Sequence, residues 1–157
     1  MKRRCLFLDR DGVINVKPPD GQYVCDWDNF VFIPEIIDWI KLFKTLQFLV
    51  VVVTNQRGVA RGLLSQSQLT TIHERMRAAL ADQGAALDDV FYCPHEKDAC
   101  DCRKPRPGMI LAAREKWNID LADSLFIGDS KSDQDLARNC GIRYVSVRNG
   151  RIEGIFN

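Results

Sequence analysis

The 157-residue chain is 46% hydrophobic and 27% charged, an ordinary balance for a soluble globular protein with bulk enough for one real core. Its formal net charge of +1 gives no overall pull toward nucleic acid or an anionic membrane, and no apolar run approaches the roughly 18 residues that span a bilayer. The basic start Met1-Lys2-Arg3-Arg4 meets Asp9 too soon to build the core of a secretion signal, so a cytoplasmic protein is expected, and its six cysteines are then free thiols or metal ligands rather than a disulfide framework.

The first predicted element is the apolar run Cys5 to Leu8, long enough for one buried strand. It delivers Asp9-Arg10-Asp11-Gly12 to its C-terminal end: two carboxylates two residues apart, then a glycine turn. Open α/β sheets bind ligands outside the carboxyl ends of their strands. Two acids there can divide the work, one attacking and the other handling protons, although a solvated turn after a strand reads the same way. Residues 15–32 are irregular, with Tyr23, Trp27, Phe30 and Phe32 left to pack. A helix is expected from Pro34, carrying Ile36, Ile37, Ile40, Leu42 and Phe43 at roughly helical spacing. Phe48 to Val53 is a β-branched run of the kind found in strands covered on both faces.

After Val53 come Thr54-Asn55-Gln56-Arg57-Gly58, a hydroxyl, amides and backbone N–H groups suited to phosphate oxygens, or equally to a plain strand-to-helix cap. Ser65 caps a helix whose stripe is Leu69, Ile72, Met76, Ala79 and Leu80. A short strand is read at Asp89 to Cys93, a helix over Pro107 to Trp117 with Met109, Ile110, Ala113 and Trp117 inward, and a strand at Leu125 to Ile127 ended by Gly128-Asp129. A helix over Ser132 to Asn139 and a last strand, Tyr144 to Val147, complete the alternation. Repeated βα units with short links predict an α/β, Rossmann-like, doubly wound and mostly parallel sheet, with residues 1–157 forming a single domain.

Two polar segments remain. Arg103, Lys104 and Arg106 make a basic cluster between prolines, pairing a point charge with the guanidinium fork that grips phosphate. Asp129 and Asp133, just past a strand, are hard oxygen donors of the kind Mg²⁺ takes while keeping places for substrate phosphate. In addition, Cys93, His95, Cys100 and Cys102 fall within ten residues, three thiolates and an imidazole that complete a tetrahedral set for a structural Zn²⁺ in a loop at 93–102. Such a metal would fix the loop that aims Lys104.

Together Asp9-Arg10-Asp11, Thr54, Lys104 and Gly128-Asp129 with Asp133 resemble the haloacid dehalogenase-type phosphohydrolase superfamily, whose four motifs run in this order. The resemblance implies a phosphatase working through an aspartyl-phosphate, and a chain this short is expected to hold no inserted cap domain. Asp9 is then the nucleophile and Asp11 the general acid and base. Thr54 and Lys104 hold the phosphoryl group. Mg²⁺ lies between Asp9, the backbone carbonyl of Asp11 and Asp129, while Asp133 orients a metal water or Lys104. The cysteine-histidine loop narrows the resemblance to the heptose 1,7-bisphosphate phosphatases and the related histidinol-phosphate phosphatases. Gly58-Val59-Ala60-Arg61-Gly62 and Pro107-Gly108-Met109 look like the former, and the four residues between His95 and Cys100 like the latter. By the heptose resemblance, residues 17–23, Thr54, Asn55, Gln56, Arg57 and Arg103 contact the substrate. The expected partner is a small phosphorylated molecule, a sugar bisphosphate, bound by a monomer; no nucleic acid or membrane partner is expected.

Overall fold

The computed structural model describes residues 1–157. Six strands, β1 (Cys5–Leu8), β2 (Leu49–Asn55), β3 (Asp89–Cys93), β4 (Leu125–Gly128), β5 (Arg143–Arg148) and β6 (Arg151–Phe156), form one sheet in the order β3-β2-β1-β4-β5-β6. The first five are parallel and β6 is antiparallel to β5. Helices α1 (Glu35–Thr45), α2 (Gln66–Asp82), α3 (Gly108–Trp117) and α4 (Lys131–Asn139) supply the crossovers. This is the doubly wound α/β architecture that the alternating pattern predicts.

Strand periodicity sorts the core into two layers. Leu6, Leu8, Val50, Val52 and Ile127 pack with Ile36 and Ile40 of α1 and Leu69, Ile72, Met76 and Leu80 of α2. Phe7, Leu49, Val51, Val53 and Phe126 pack on the other face with Met109, Ile110 and Ala113 of α3 and Leu136 and Ala137 of α4. Because the chain winds outward from β1 in one direction through β2 and β3, and in the other through β4 and β5, the connections leaving β1 and β4 diverge. That divergence opens a crevice at their carboxyl ends. Asp9 and Asp129 follow β1 and β4 directly, on either side of it.

Several boundaries differ from the sequence reading for clear reasons. Pro34 precedes α1 rather than opening it, and Leu42 is solvent-exposed, so the buried face is the narrower pair Ile36 and Ile40. Strand β2 runs on through Thr54 and Asn55, which pair with Tyr92 and Cys93 of β3; both polar residues are therefore held by the sheet. Ser65 closes a full capping box with Gln68, as its position predicts. On α2, Ala79 is only half-buried, and His73 joins the inward stripe instead. Strand β6 was not expected. Its turn is Asn149-Gly150, with φ of 49° and 77°, a pair of left-handed residues that matches the twist of a two-residue hairpin. No helix is long and apolar enough to cross a membrane.

Candidate active site

Asp9 leaves the sheet as soon as β1 ends, its backbone N–H still bonded to the Ile127 carbonyl at 3.1 Å. The chain then closes a tight loop in which the N–H groups of Val13, Ile14 and Asn15 all return to the Arg10 carbonyl. Gly12, at φ +92°, makes that loop possible; a Cβ there would strike the Asp129 carboxylate. The turn thus brings the strand ends of β1 and β4 into contact.

Lys104 is the centre of the charge arrangement. Its ammonium, almost fully buried, lies 2.8 Å from Asp9 Oδ1, 2.7 Å from Asp133 Oδ1 and 3.0 Å from the Val53 carbonyl. Burial works against its charge, but the Asp133 and Asp9 carboxylates outweigh it and push the lysine above its ordinary value. The Asn55 side chain holds the same residue by its backbone: Oδ1 accepts from Lys104 N at 3.0 Å and Nδ2 donates to Lys104 O at 3.3 Å. Burial, then the Asp133 carboxylate, raise Asp9 well above the usual carboxylate range, with Lys104 opposing and Asp129 adding to the rise.

One carboxylate oxygen each from Asp9, Asp129 and Asp133 lies within 4.8 Å of the others, and Asp129 Oδ1 is buried with no hydrogen-bond partner. Two ammonium groups, Lys104 and the half-exposed Lys17 at 3.2 Å from Asp129 Oδ2, are the cations at this cluster. An orphaned hard oxygen beside crowded carboxylates fits a divalent cation of the Mg²⁺ type. The Asp11 carboxylate stands outside this trio. Its Oδ1 accepts from Arg10 Nη2 (2.8 Å), Arg10 Nε (3.2 Å) and Asn15 Nδ2 (2.9 Å), and its Oδ2 from Gln56 Nε2 (2.9 Å). Burial alone would raise Asp11, yet the Arg10 charge and these donors bring it below its ordinary value.

The expected substrate contacts divide. Asn55, Arg57 and Arg103 line a polar cleft of about 280 Å³, with Asp9, Asp11, Lys104 and the loop from Lys17 to Tyr23. Arg103 Nη1 is buried there without a partner. Thr54 and Gln56 do not line the cleft. Both are buried, and Gln56 Nε2 donates to Asp11 Oδ2 and Thr54 Oγ1, both at 2.9 Å, so the structure places Gln56 as a spacer between those two residues instead of at the expected substrate contact. Two further residues escaped the sequence reading. Glu96 accepts from Arg57 (3.0 Å) and Arg61 (3.1 Å), and the Lys97 N–H and Arg61 hold it down to about 2. His73, a histidine in an apolar helical stripe, lies 3.0 Å from Arg10 Nη1.

Beside the cleft, Cys93 at the end of β3 meets Cys102 at 3.0 Å and Cys100 at 3.4 Å between sulfurs, and His95 Nδ1 lies 3.2 Å from Cys102 Sγ. The four donor atoms all fall within 4.8 Å. The thiols divide one burden: burial and the neighbouring sulfurs push Cys102 up and burial raises Cys93, whereas at Cys100 burial is outweighed by the N–H groups of Arg103 and Cys102 and by those thiols, which bring it to about 6. A closed set of soft donors fits Zn²⁺.

Comparison with known proteins shows the family. The "HAD-hyrolase-like" family model matches residues 101–154. The D-glycero-beta-D-manno-heptose-1,7-bisphosphate 7-phosphatase of Escherichia coli (strain K12) is 45% identical over 156 residues, covering 93% of this chain and 80% of that protein. The chain belongs to the heptose bisphosphate phosphatase family of HAD-like hydrolases. Another heptose bisphosphate phosphatase, from Vibrio cholerae serotype O1, is 40% identical over 160 residues, covering 96% of this chain and 84% of that protein. Among solved heptose bisphosphate phosphatases, the B. bronchiseptica D,D-heptose 1.7-bisphosphate phosphatase, crystallised with magnesium and phosphate, superposes with a TM-score of 0.86 at 37% identity, covering 94% of this chain and 83% of that one.

Proposed function

We propose that this chain, acting as one domain and as a monomer in the cytoplasm, is the Mg²⁺-dependent phosphatase that removes the C7 phosphate of D-glycero-D-manno-heptose 1,7-bisphosphate. The observation that carries the reading is the buried Asp9–Lys104–Asp133 chain of charges at the foot of a polar cleft, on a family member whose relatives bear that name.

Asp9 attacks phosphorus through a carboxylate oxygen, and the ester P–O bond breaks as the aspartyl-phosphate forms. Asp11 gives its proton to the departing ester oxygen, which leaves as the sugar hydroxyl, then takes one from the water that attacks the aspartyl-phosphate and releases inorganic phosphate. The donors around Asp11 make the carboxylate its resting form, as the second step requires; a phosphate dianion arriving beside it favours the protonated form needed in the first. Lys104 neutralises charge on the transferring group, fixed by Asp133 on one side and Asn55 on the other. Thr54, with its hydroxyl placed by Gln56, donates to a phosphoryl oxygen. Asp9, Asp129 and the Asp11 carbonyl would hold Mg²⁺, with Asp133 orienting its surroundings; bound there, the cation offsets the repulsion between an anionic nucleophile and an anionic phosphate. Cys93, His95, Cys100 and Cys102 would hold Zn²⁺ as a structural ion. Arg57, Arg103 and the 17–23 loop contact the rest of the sugar bisphosphate.

A substrate panel tests the proposal. kcat/KM for the 1,7-bisphosphate should exceed that for histidinol phosphate by at least about 100-fold, roughly 2.7 kcal/mol of transition-state discrimination, with the C1 phosphate retained. The four-residue spacer between His95 and Cys100 favours the histidinol-phosphate reading, and equal or inverted efficiencies would establish it in place of the heptose one.

A further inference from the structure

Arg10 is fully buried, yet it sits between the two aspartates of the first motif, where its own side chain has no reaction to perform. The guanidinium spends Nε and Nη2 on a single oxygen, Asp11 Oδ1, at 3.2 and 2.8 Å. With Asn15 Nδ2 on the same atom, Oδ1 is saturated, while Oδ2 has only Gln56. Oδ2 is therefore the oxygen left to exchange a proton. On its other side Arg10 Nη1 lies 3.0 Å from His73 Nε2, contributed by α2 from 63 positions away, and Phe30 lies against the guanidinium at 5.7 Å from ring centroid to Cζ.

The choice of partner is informative. Arginine only donates, so His73 Nε2 must be the bare nitrogen, with the proton on Nδ1. Burial and the Arg10 charge hold His73 down to about 3, keeping the ring neutral. A carboxylate at this position would share the arginine charge and weaken its pull on Asp11; a neutral acceptor fixes the guanidinium and leaves the charge undivided. Stability alone gives weak reason for the arrangement, because apolar side chains of similar volume often replace buried ion pairs without loss.

We propose that Arg10 and His73 are positioning residues for proton transfer: His73 fixes the Arg10 guanidinium, and Arg10 pins Oδ1 of Asp11 so that Oδ2 is presented to the leaving oxygen and later to water. The inference rests on the assignment of Asp11 as acid and base. Its signature is an uneven effect on the two half-reactions. With 4-nitrophenyl phosphate the leaving group departs without a proton, so aspartyl-phosphate still forms, while its hydrolysis still needs Asp11.

The experiment follows the burst of 4-nitrophenolate in rapid mixing and steady-state turnover of an alkyl phosphate, using the metal-loaded full chain. His73→Leu should slow alkyl phosphate turnover by about tenfold or more and raise the burst above the wild-type amplitude as phosphoenzyme accumulates. Asp11→Asn should show the same signature more strongly, and His73→Gln, which keeps an acceptor, should restore the wild-type pattern. Turnover of both substrates within about twofold of wild type in His73→Leu, or an equal loss on both without extra burst, overturns the inference while Asp11→Asn still traps phosphoenzyme. A failure of Asp11→Asn to trap it overturns the acid-base reading and the inference together. If His73→Leu does not fold, Arg10→Lys, which keeps the charge and loses the fork, must show the trapping, and its absence overturns the proposal.

Discussion

At the foot of the cleft one nearly inaccessible ammonium, Lys104, serves Asp9 and Asp133 together, whereas at the rim two arginines, Arg57 and Arg61, share the half-exposed carboxylate of Glu96. The foot gathers Asp9 from the end of β1, Lys104 from the loop before α3 and Asp133 from the first turn of α4, all nearly inaccessible to solvent, so each charge there acts at full strength and cannot be removed cheaply. The rim is built from loops in water, where an ion pair is worth little and is readily screened. Rigidity at the rim must therefore come from elsewhere, and the Cys93-His95-Cys100-Cys102 cluster, which brackets Glu96, is the available staple. On the proposed function, the chemistry belongs to the foot and the choice of substrate to the rim.

The strongest way to break this division is Asp9→Asn, which keeps the shape and deletes the nucleophile; turnover should fall on the order of 10³-fold or more, and retention of a few per cent of wild-type rate would remove the covalent route. Lys104→Met tests the insulation itself. It leaves two buried carboxylates facing each other, and urea unfolding without added Mg²⁺ should show a loss of about 3–5 kcal/mol; a neutral result would mean that the foot is wetter than its burial indicates.

Zinc should be present at about one equivalent by elemental analysis, and Cys100→Ser should lower Tm by on the order of 5–10 °C. Its kinetic effect should lie more in KM for a bisphosphate than in kcat, since Asn55 still grips Lys104; the reverse split would place the staple under the foot. A fourth measurement concerns acid stability. The ordinary pKa of His73 is 6.5 and the folded value about 3, so between those limits the unfolded chain binds a proton that the folded chain refuses. Stability should thus fall as pH drops from 6.5, by about 1 kcal/mol per unit, and His73→Gln should flatten that slope in unfolding titrations at pH 7 and pH 5. Smallest of all, Glu96→Gln should raise KM for a bisphosphate by no more than about fivefold and leave 4-nitrophenyl phosphate unaffected, with the difference vanishing in high salt.

Part of the site was legible in the sequence because Asp9, Thr54 and Asp129 sit at strand ends, where apolar runs stop and polar residues begin, and could be placed relative to the sheet without any knowledge of which side chains touch. Lys104 comes from a loop eleven residues beyond β3, and only its contacts bring it to Asp9 and Asp133. The Cys/His loop was legible through local spacing. What escaped was contact over long separations: nothing near His73 announces an arginine 63 positions earlier, and a histidine in an apolar stripe reads as filler. Gln56 lies between Asn55 and Arg57, which do line the cleft, but its own amide is bonded to Asp11 and Thr54, a pair of contacts that local spacing does not announce. The β6 hairpin was a readable miss, since Asn149-Gly150 between two runs of strand-forming residues is itself a turn signal.

The two hydrogen bonds from Asn55 to the Lys104 backbone have a bearing on how this fold can vary. They tie the lysine to the sheet at its own amide and carbonyl, downstream of Cys102. Residues 96–99, between His95 and Cys100, consequently lie outside the stretch whose length sets where the ammonium arrives. Insertions there add chain to the rim without shifting the catalytic register, so this segment is free to lengthen or shorten among descendants while the reaction stays the same. A single amide at the end of β2 thereby separates the part of the molecule that evolution can edit from the part that it must copy.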